Sequence, residues 1–257
     1  MPLSNTPKFL ADRYREARPP YPATLFRLLE GAFSAPPRFL DLGCGTGLST
    51  LSFLRLGIST AGDAIDPDPK MLALAETELR KSYPEVRFQA GRAEAIPLAD
   101  ASVDLVLVGS AVHWFDLSRA QPEIARVLRP GGRLLVFEYQ FPKCLDSTEL
   151  AETVRRRFNL EWKAPVQTPR GTLAEILAPF ARWKKIGEDR PEWIETLSLE
   201  RFLGHLFSQS RYLHAEAAAS DPIAYRAEIE RAFAPYFEEK PLRFDLKPRA
   251  IAYKKPV

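Results

Sequence analysis

The sequence predicts a doubly wound α/β fold: a seven-stranded, mostly parallel sheet with helices on both faces and a helical cap. Two observations carry this expectation. Between residues 38 and 140, strand-sized apolar runs alternate with stretches of helical periodicity, the pattern of βα units on a parallel sheet. Beyond residue 140 the alternation loosens into helical segments with two late strand candidates, as expected for a chain that completes its sheet around an inserted cap.

The elements follow in order. PRFLDLG (37–43) is a short buried-strand pattern ending in glycine, and TGLSTLSFLRLG (46–57) carries apolar residues at helical spacing, with Gly57 as a stop. TAGDAIDP (60–67) gives a second strand, residues 69–84 a second helix and VRFQAG (86–91) a third strand. VDLVLVGSA (103–111) is almost continuously apolar, as a central strand covered on both faces should be. A helix around 119–128 is closed by RPGGR before a fifth strand, RLLVFEYQ (133–140). Helical segments are expected over 147–160, 171–179, 199–213 and 222–237, and strands near 183–193 and 242–253, the latter half exposed at a sheet edge. Three regions result: an N-terminal lid segment (1–37), a cofactor-binding α/β core (38–140), and a completing region (141–257) whose cap covers about 197–240.

Composition narrows the function classes. With 36 basic and 33 acidic residues the net charge is +3, far from the one-sided basicity of a nucleic-acid binder. The apolar runs are strand-sized, so a membrane span is not expected. Cys44 and Cys144 lie far apart and suggest neither a disulfide framework nor a metal site. The N-terminus lacks an apolar core of signal-peptide length. A reduced cytoplasmic setting is the expectation.

The strongest motif is DLGCGTG (41–47), between a predicted strand and a predicted helix. Glycines there let the backbone turn sharply and approach a ligand without an intervening Cβ. Asp66 ends the next strand, about twenty positions after Gly47, the spacing of carboxylates that bind ribose hydroxyls; a turn or helix cap before Pro67 would use the same residue. The glycine spacing, Gly43-x-Gly45-x-Gly47, departs from the dinucleotide fingerprint, whose third glycine follows two intervening residues. Asp41 at the loop's start suits an ammonium group and is out of place beside a pyrophosphate.

DLGCGTG, AIDPDPKML, GRAEAIPLADASVDLV and VLRPGGRLLVFE, in this order and spacing, resemble the successive motifs of class I S-adenosylmethionine-dependent methyltransferases. YREARPPYP before the first strand and AVHWFD after the fourth are similar to the small-molecule branch typified by trans-aconitate methyltransferases. The resemblance implies a Rossmann-like methyltransferase fold with S-adenosylmethionine as cofactor. It implies that Asp41 and the backbone at Gly43, Cys44 and Gly45 hold the methionine part, that Asp66 binds the ribose, and that Pro67 and Met71 flank the adenine. Ala93 and Glu94 fall at the adenine edge, and Ser110 beside the methionine. Arg92 departs from the pattern, since many relatives carry aspartate there and arginine cannot accept the adenine amino hydrogen; the backbone of Arg92 and Ala93 would serve instead.

On the acceptor side, Ser110 to Asp116 leave the fourth strand at its carboxyl end, where open α/β sheets bind ligands. His113 is the candidate catalytic residue and, with Trp114, a candidate substrate contact; core packing is the alternative for Trp114. By analogy with the family, the segment bearing Tyr14, Arg18 and Tyr21 folds over the cofactor, with Tyr14 facing it and Arg18 and Tyr21 facing the acceptor. Arg18 would pair with a carboxylate, either the cofactor's or an acceptor's, or else belong to a solvated charge run. Arg211 and Tyr212, in the expected cap, complete the candidate acceptor contacts. The absence of an obvious acid–base constellation favours an acceptor that is already ionised, such as a carboxylic acid. Competing functions are a cofactor-binding protein without methyl transfer, an enzyme using this cofactor for another reaction, a nicotinamide-dependent oxidoreductase and a nucleic-acid methyltransferase.

Overall fold

The computed structural model of the chain describes residues 8–160, 173–238 and 240–257. In chain order its helices are α1 (Lys8–Ala17), α2 (Leu48–Leu54), α3 (Pro69–Leu79), α4 (Leu117–Val127), α5 (Thr148–Leu160), α6 (Leu173–Ile176), α7 (Leu199–Phe207), α8 (Ser210–Ala218) and α9 (Pro222–Phe233). The strands are β1 (Phe39–Leu42), β2 (Gly62–Asp66), β3 (Val86–Ala90), β4 (Val103–Gly109), β5 (Leu128–Glu138), β6 (Lys143–Cys144), β7 (Lys184–Asp189), β8 (Ile194–Leu197), β9 (Leu242–Asp245) and β10 (Arg249–Lys254).

Seven strands form the expected doubly wound sheet, in the order β3-β2-β1-β4-β5-β10-β7. The first five pair in parallel, and β10 runs antiparallel to both of its neighbours. The order reverses between β1 and β4, so the carboxyl ends of those two strands flank the crevice where such sheets bind ligands. Apolar residues of β1, β4 and β5 feed two cores, one on each face of the sheet. Asp63, fully buried in β2, is neutralised by Arg38 and Arg87 at 2.6 and 3.0 Å, as a charge removed from water must be. Lys255 donates to the carbonyls of Ala125 and Leu128 at the end of α4, satisfying acceptors the helix leaves open.

Three expectations need correction. The late strand near 242–253 is two strands. β10 lies inside the main sheet between β5 and β7, while β9 joins β6 and β8 in a separate three-stranded sheet. The break falls at Leu246–Pro248, where Lys247 adopts a positive φ of 46° and Pro248 lacks the N–H a ladder needs. RPGG, expected to be a loop, is drawn into β5, whose partner β10 begins pairing at Arg133. The single helix over 199–213 is two helices, α7 and α8, divided at Ser208–Gln209. The expected segment 171–179 lies partly outside the described residues.

The cap has its own core. Phe202, Leu206, Tyr212, Phe233 and Phe244 interlock there, with Phe202 stacked on Phe244 at 5.4 Å between ring centroids. Helix α1 bridges cap and sheet: it packs on α7 at one side and α3 at the other. Among the described residues, no helix is long and apolar enough to cross a membrane.

Candidate functional site

The glycine loop follows β1 directly. Gly43, Gly45 and Gly47 all have positive φ (76°, 53° and 80°), a region closed in practice to most side chains. A Cβ on Gly43 would meet that of Ala111 at 2.7 Å, so glycine there also lets the loop lie against the end of β4. The loop's own donors are largely committed: Gly43 and Cys44 N–H both reach the Ile65 carbonyl, and Gly45 N–H reaches Asp66 Oδ2 at 2.8 Å. The loop thus has acceptors left to offer, which is what an ammonium requires.

Asp41 supplies the main acceptor. Its carboxylate is fully buried, with Oδ2 taking the hydroxyls of Ser49 and Thr50 at 2.6 and 2.5 Å. Oδ1 has no hydrogen-bond partner among the described residues. A buried carboxylate oxygen left open costs free energy unless a ligand fills it, and the ammonium of the methionine moiety is a fitting donor. Asp66 accepts Gly45 N–H on one oxygen and Asp68 N–H on the other at 2.9 Å, so its carboxylate is clamped in one orientation with lone pairs remaining. Asp68, not Asp66, caps α3, accepting from Lys70 and Met71 N–H. This leaves Asp66 for a ligand. Of the residues expected at the adenine edge, Ala93 is buried, Arg92 is exposed with its carbonyl taken by Ala95 N–H, and Glu94 Oε1 accepts Asp116 N–H at 2.8 Å. Pro67 is exposed and Met71 half-buried at the start of α3.

Burial pushes the Asp41 carboxyl up from 3.8 to about 6, against the Ser49 and Thr50 hydrogen bonds that favour its charge. The folded value exceeds the unfolded one, so this group lowers stability as pH rises from about 4 through 6 and adds no further cost above that. Ligand binding runs the other way, because an ammonium selects the ionised form. Affinity for S-adenosylmethionine is expected to be full above pH 6 and to fall by up to about tenfold per pH unit below it. Asp41→Asn should flatten the profile, leaving the weaker decline from Asp66, whose pKa burial also raises. Calorimetric titrations between pH 5 and 8 measure it; a parent profile flat down to pH 5 would exclude Asp41 from the ammonium site.

Beyond β4, Ser110 takes a positive φ of 50°, and its hydroxyl faces the Tyr21 phenol. His113 and Trp114 lie in a short 3-10 helix (Val112–Trp114), their rings 5.2 Å apart. Trp114 is 45% exposed, so core packing does not explain it, whereas Phe115 turns inward onto Gly43. Burial and the nearby Arg18 push His113 down to about 4, leaving a neutral, weakly basic imidazole at pH 7.

Arg18, at the end of α1, sits at the centre of this region. Its Nε donates to Ser208 Oγ (2.8 Å) and its Nη1 to the Tyr139 hydroxyl (3.2 Å). Its guanidinium lies 4.9 Å from the Tyr14 ring centroid and 5.5 Å from that of Tyr139, cation–π geometry in both cases. Among the described residues no carboxylate pairs with it, so it is not part of a solvated charge run. Tyr21 packs edge-on to Phe137 and Tyr139 at 4.9 and 5.5 Å. The sequence-derived residues Tyr14, Arg18, Tyr21, Ser110 and His113 therefore converge. Tyr212 is fully buried in the cap core, edge-on to Phe207; the side chain of Arg211 lies outside the described set.

Sequence analysis missed three participants. Arg15 donates to the Thr46 carbonyl in the glycine loop at 2.6 Å and pairs with Glu78 of α3, pinning α1 across the loop. Tyr139 follows β5 at the same sheet edge, a position that the strand order alone would have flagged. Ser208 is the residue that caps the end of α7, and only the tertiary fold brings it here.

Residues 40–136 match the family model described as a methyltransferase domain. An uncharacterised methyltransferase of Mycobacterium tuberculosis is 44% identical over 144 residues, 56% of this chain and 56% of that protein. The demethylmenaquinone methyltransferase of Chlorobaculum parvum is 38% identical over 109 residues, 42% of this chain and 43% of the relative. The chain thus spans about half the length of the curated relatives it matches. A solved structure from Anaeromyxobacter dehalogenans, assigned as a type II methyltransferase, is 28% identical with a TM-score of 0.68, covering 93% of this chain and 97% of that one. The fold and the loop define a Rossmann-like α/β unit. Residues 40–136 resemble, more particularly, a methyltransferase domain.

Proposed function

We propose that the chain is an S-adenosylmethionine-dependent methyltransferase whose acceptor is a small carboxylic acid, in the manner of the small-molecule branch typified by trans-aconitate methyltransferases. The observation that carries the acceptor class is Arg18, enclosed between α1, α7 and the end of β5 with hydroxyl, carbonyl and aromatic partners but, among the described residues, no carboxylate. A guanidinium so placed binds a carboxylate with directional, charge-assisted hydrogen bonds.

The sulfonium cofactor, when bound, supplies an already activated methyl group. The chain's own work is then positioning and exclusion of water. Asp41 holds the ammonium and Asp66 the ribose, while Tyr14 lies against the Arg18 guanidinium and Tyr21 against Tyr139 beside it. A carboxylate acceptor is ionised at neutral pH and needs no base. His113, neutral and with a pKa near 4, is poorly tuned to deprotonate a phenol or amine at pH 7 and fits a role as a contact. The helices of the cap and α1 close over the site, which favours small acceptors; the relative named for demethylmenaquinone also takes a small molecule. The balanced charge supports neither a nucleic-acid nor a membrane partner.

Calorimetry with S-adenosylmethionine, S-adenosylhomocysteine and NAD, followed by transfer of labelled methyl to a panel of small acids, tests the proposal. Binding of both adenosyl ligands without NAD, and turnover with at least one acid, are the expected results. NAD binding alone overturns the cofactor, and exclusive methylation of amines or nucleic acid overturns the acceptor class.

A further inference from the structure

One buried polar side chain near Arg18 is not used by the chemistry above. His205 lies in α7, is 1% exposed, and its Nε2 has no hydrogen-bond partner among the described residues. It shares a helix face with Ser208, three residues on, and Ser208 holds the Arg18 guanidinium. Its ring is 5.9 Å from that of Tyr139 and 5.6 Å from that of Phe141. Burial, with Arg18 and Arg201 nearby, holds its pKa well below the ordinary range, so it is a neutral imidazole with one donor and one acceptor nitrogen.

Packing alone does not account for a histidine here. The rest of α7 fills the cap core with Phe202, Leu203, Leu206 and Phe207, and an apolar ring would serve equally without a stranded nitrogen. We infer that His205 is a specificity-determining contact for the methyl acceptor, its Nε2 hydrogen-bonding a hydroxyl or keto oxygen on the acceptor adjacent to the carboxylate bound by Arg18. This rests on the acceptor class proposed above and narrows it to acids with a second polar oxygen beside the anion. Arg18 donates only and demands the anion. The imidazole, neutral beside it, both tolerates the cation and recognises a neutral oxygen.

The test uses the full chain, labelled S-adenosylmethionine and matched acceptor sets: a small carboxylic acid, its 2-hydroxy acid, and the amide of that hydroxy acid. The parent should favour the hydroxy acid over the plain acid by tenfold or more in KM. His205→Phe, which keeps an aromatic ring of similar size, should abolish that preference by raising the hydroxy-acid KM. Cofactor affinity, melting temperature and kcat with the plain acid should hold. His205→Gln, whose amide reaches the place of Nε2, should keep the preference, and His205→Asn, which stops near Nδ1, should lose it; that pair reads the contact even where the Phe variant folds poorly. Equal KM values for hydroxy and plain acid in the parent, or a preference that survives in His205→Phe, overturn the inference alone. A parent that methylates the amide as readily as the acid, or no acid at all, overturns the acceptor class and this inference with it.

Discussion

Replacing Asp66 by alanine is expected to raise the dissociation constant for S-adenosylmethionine by about 100-fold. The carboxylate is fixed by Gly45 N–H on one oxygen and Asp68 N–H on the other, so its orientation is paid for before any ligand arrives. Hydrogen bonds to a charged acceptor contribute about 1.5–3 kcal/mol each; losing two at the lower figure removes about 3 kcal/mol, hence the two decades. The same clamp means that alanine also strands two backbone donors, so part of the effect is a loosened loop. Asp66→Asn separates the two contributions. Its remaining oxygen still accepts one backbone bond, and its amide cannot accept a ribose hydroxyl. The asparagine variant should therefore melt close to the parent while binding S-adenosylmethionine at least tenfold more weakly, measured by calorimetry beside thermal melts. An unchanged dissociation constant in both variants would remove Asp66 from the ribose site.

Much of the core was legible because its signals are local. A strand that ends in DLGCGTG must turn at once, and the positive φ values at Gly43, Gly45 and Gly47 are what those glycines permit. β4 reads as central because it is apolar on both faces, and it sits between β1 and β5. The completing region was harder. Nothing local separates a strand at a sheet edge from one inserted between β5 and β7, because that position is fixed by partners far away in sequence. The acceptor side shows the same division. Tyr14, Arg18 and Tyr21 were visible through their spacing, but a charge run and an anion site look alike until the neighbours are known. Arg15 in α1 and Arg18 just past its end lie three residues apart and have opposite fates: one pins the glycine loop and pairs with Glu78, while the other meets, among the described residues, hydroxyls, a backbone carbonyl and rings. His205 carried no signal at all, since a lone histidine in an apolar helix face ordinarily reads as packing.

The largest effect on turnover is expected at Arg18. Arg18→Met retains the length and apolar stem of the side chain and removes the guanidinium. If the acceptor carboxylate sits on that group, the variant loses a desolvated, charge-assisted pair of hydrogen bonds at about 1.5–3 kcal/mol each, and kcat/KM for the acid should fall by 100-fold or more. Cofactor affinity should stay within a few-fold, because Asp41 and Asp66 lie on other elements. Stability provides the control. In the free protein Arg18 is an enclosed cation with no carboxylate partner among the described residues, and its bonds to Ser208 and Tyr139 offset only part of the cost of removing it from water. Removing the charge should leave the melting temperature near the parent value or raise it, whereas an arginine kept for structure would lower it. Arg18→Lys should not rescue turnover, since an ammonium cannot present two parallel donors to a carboxylate. A methionine variant that melts lower and keeps its acceptor KM would make Arg18 a structural link between α1 and the cap; one that holds its fold and loses the acid places the anion at this guanidinium.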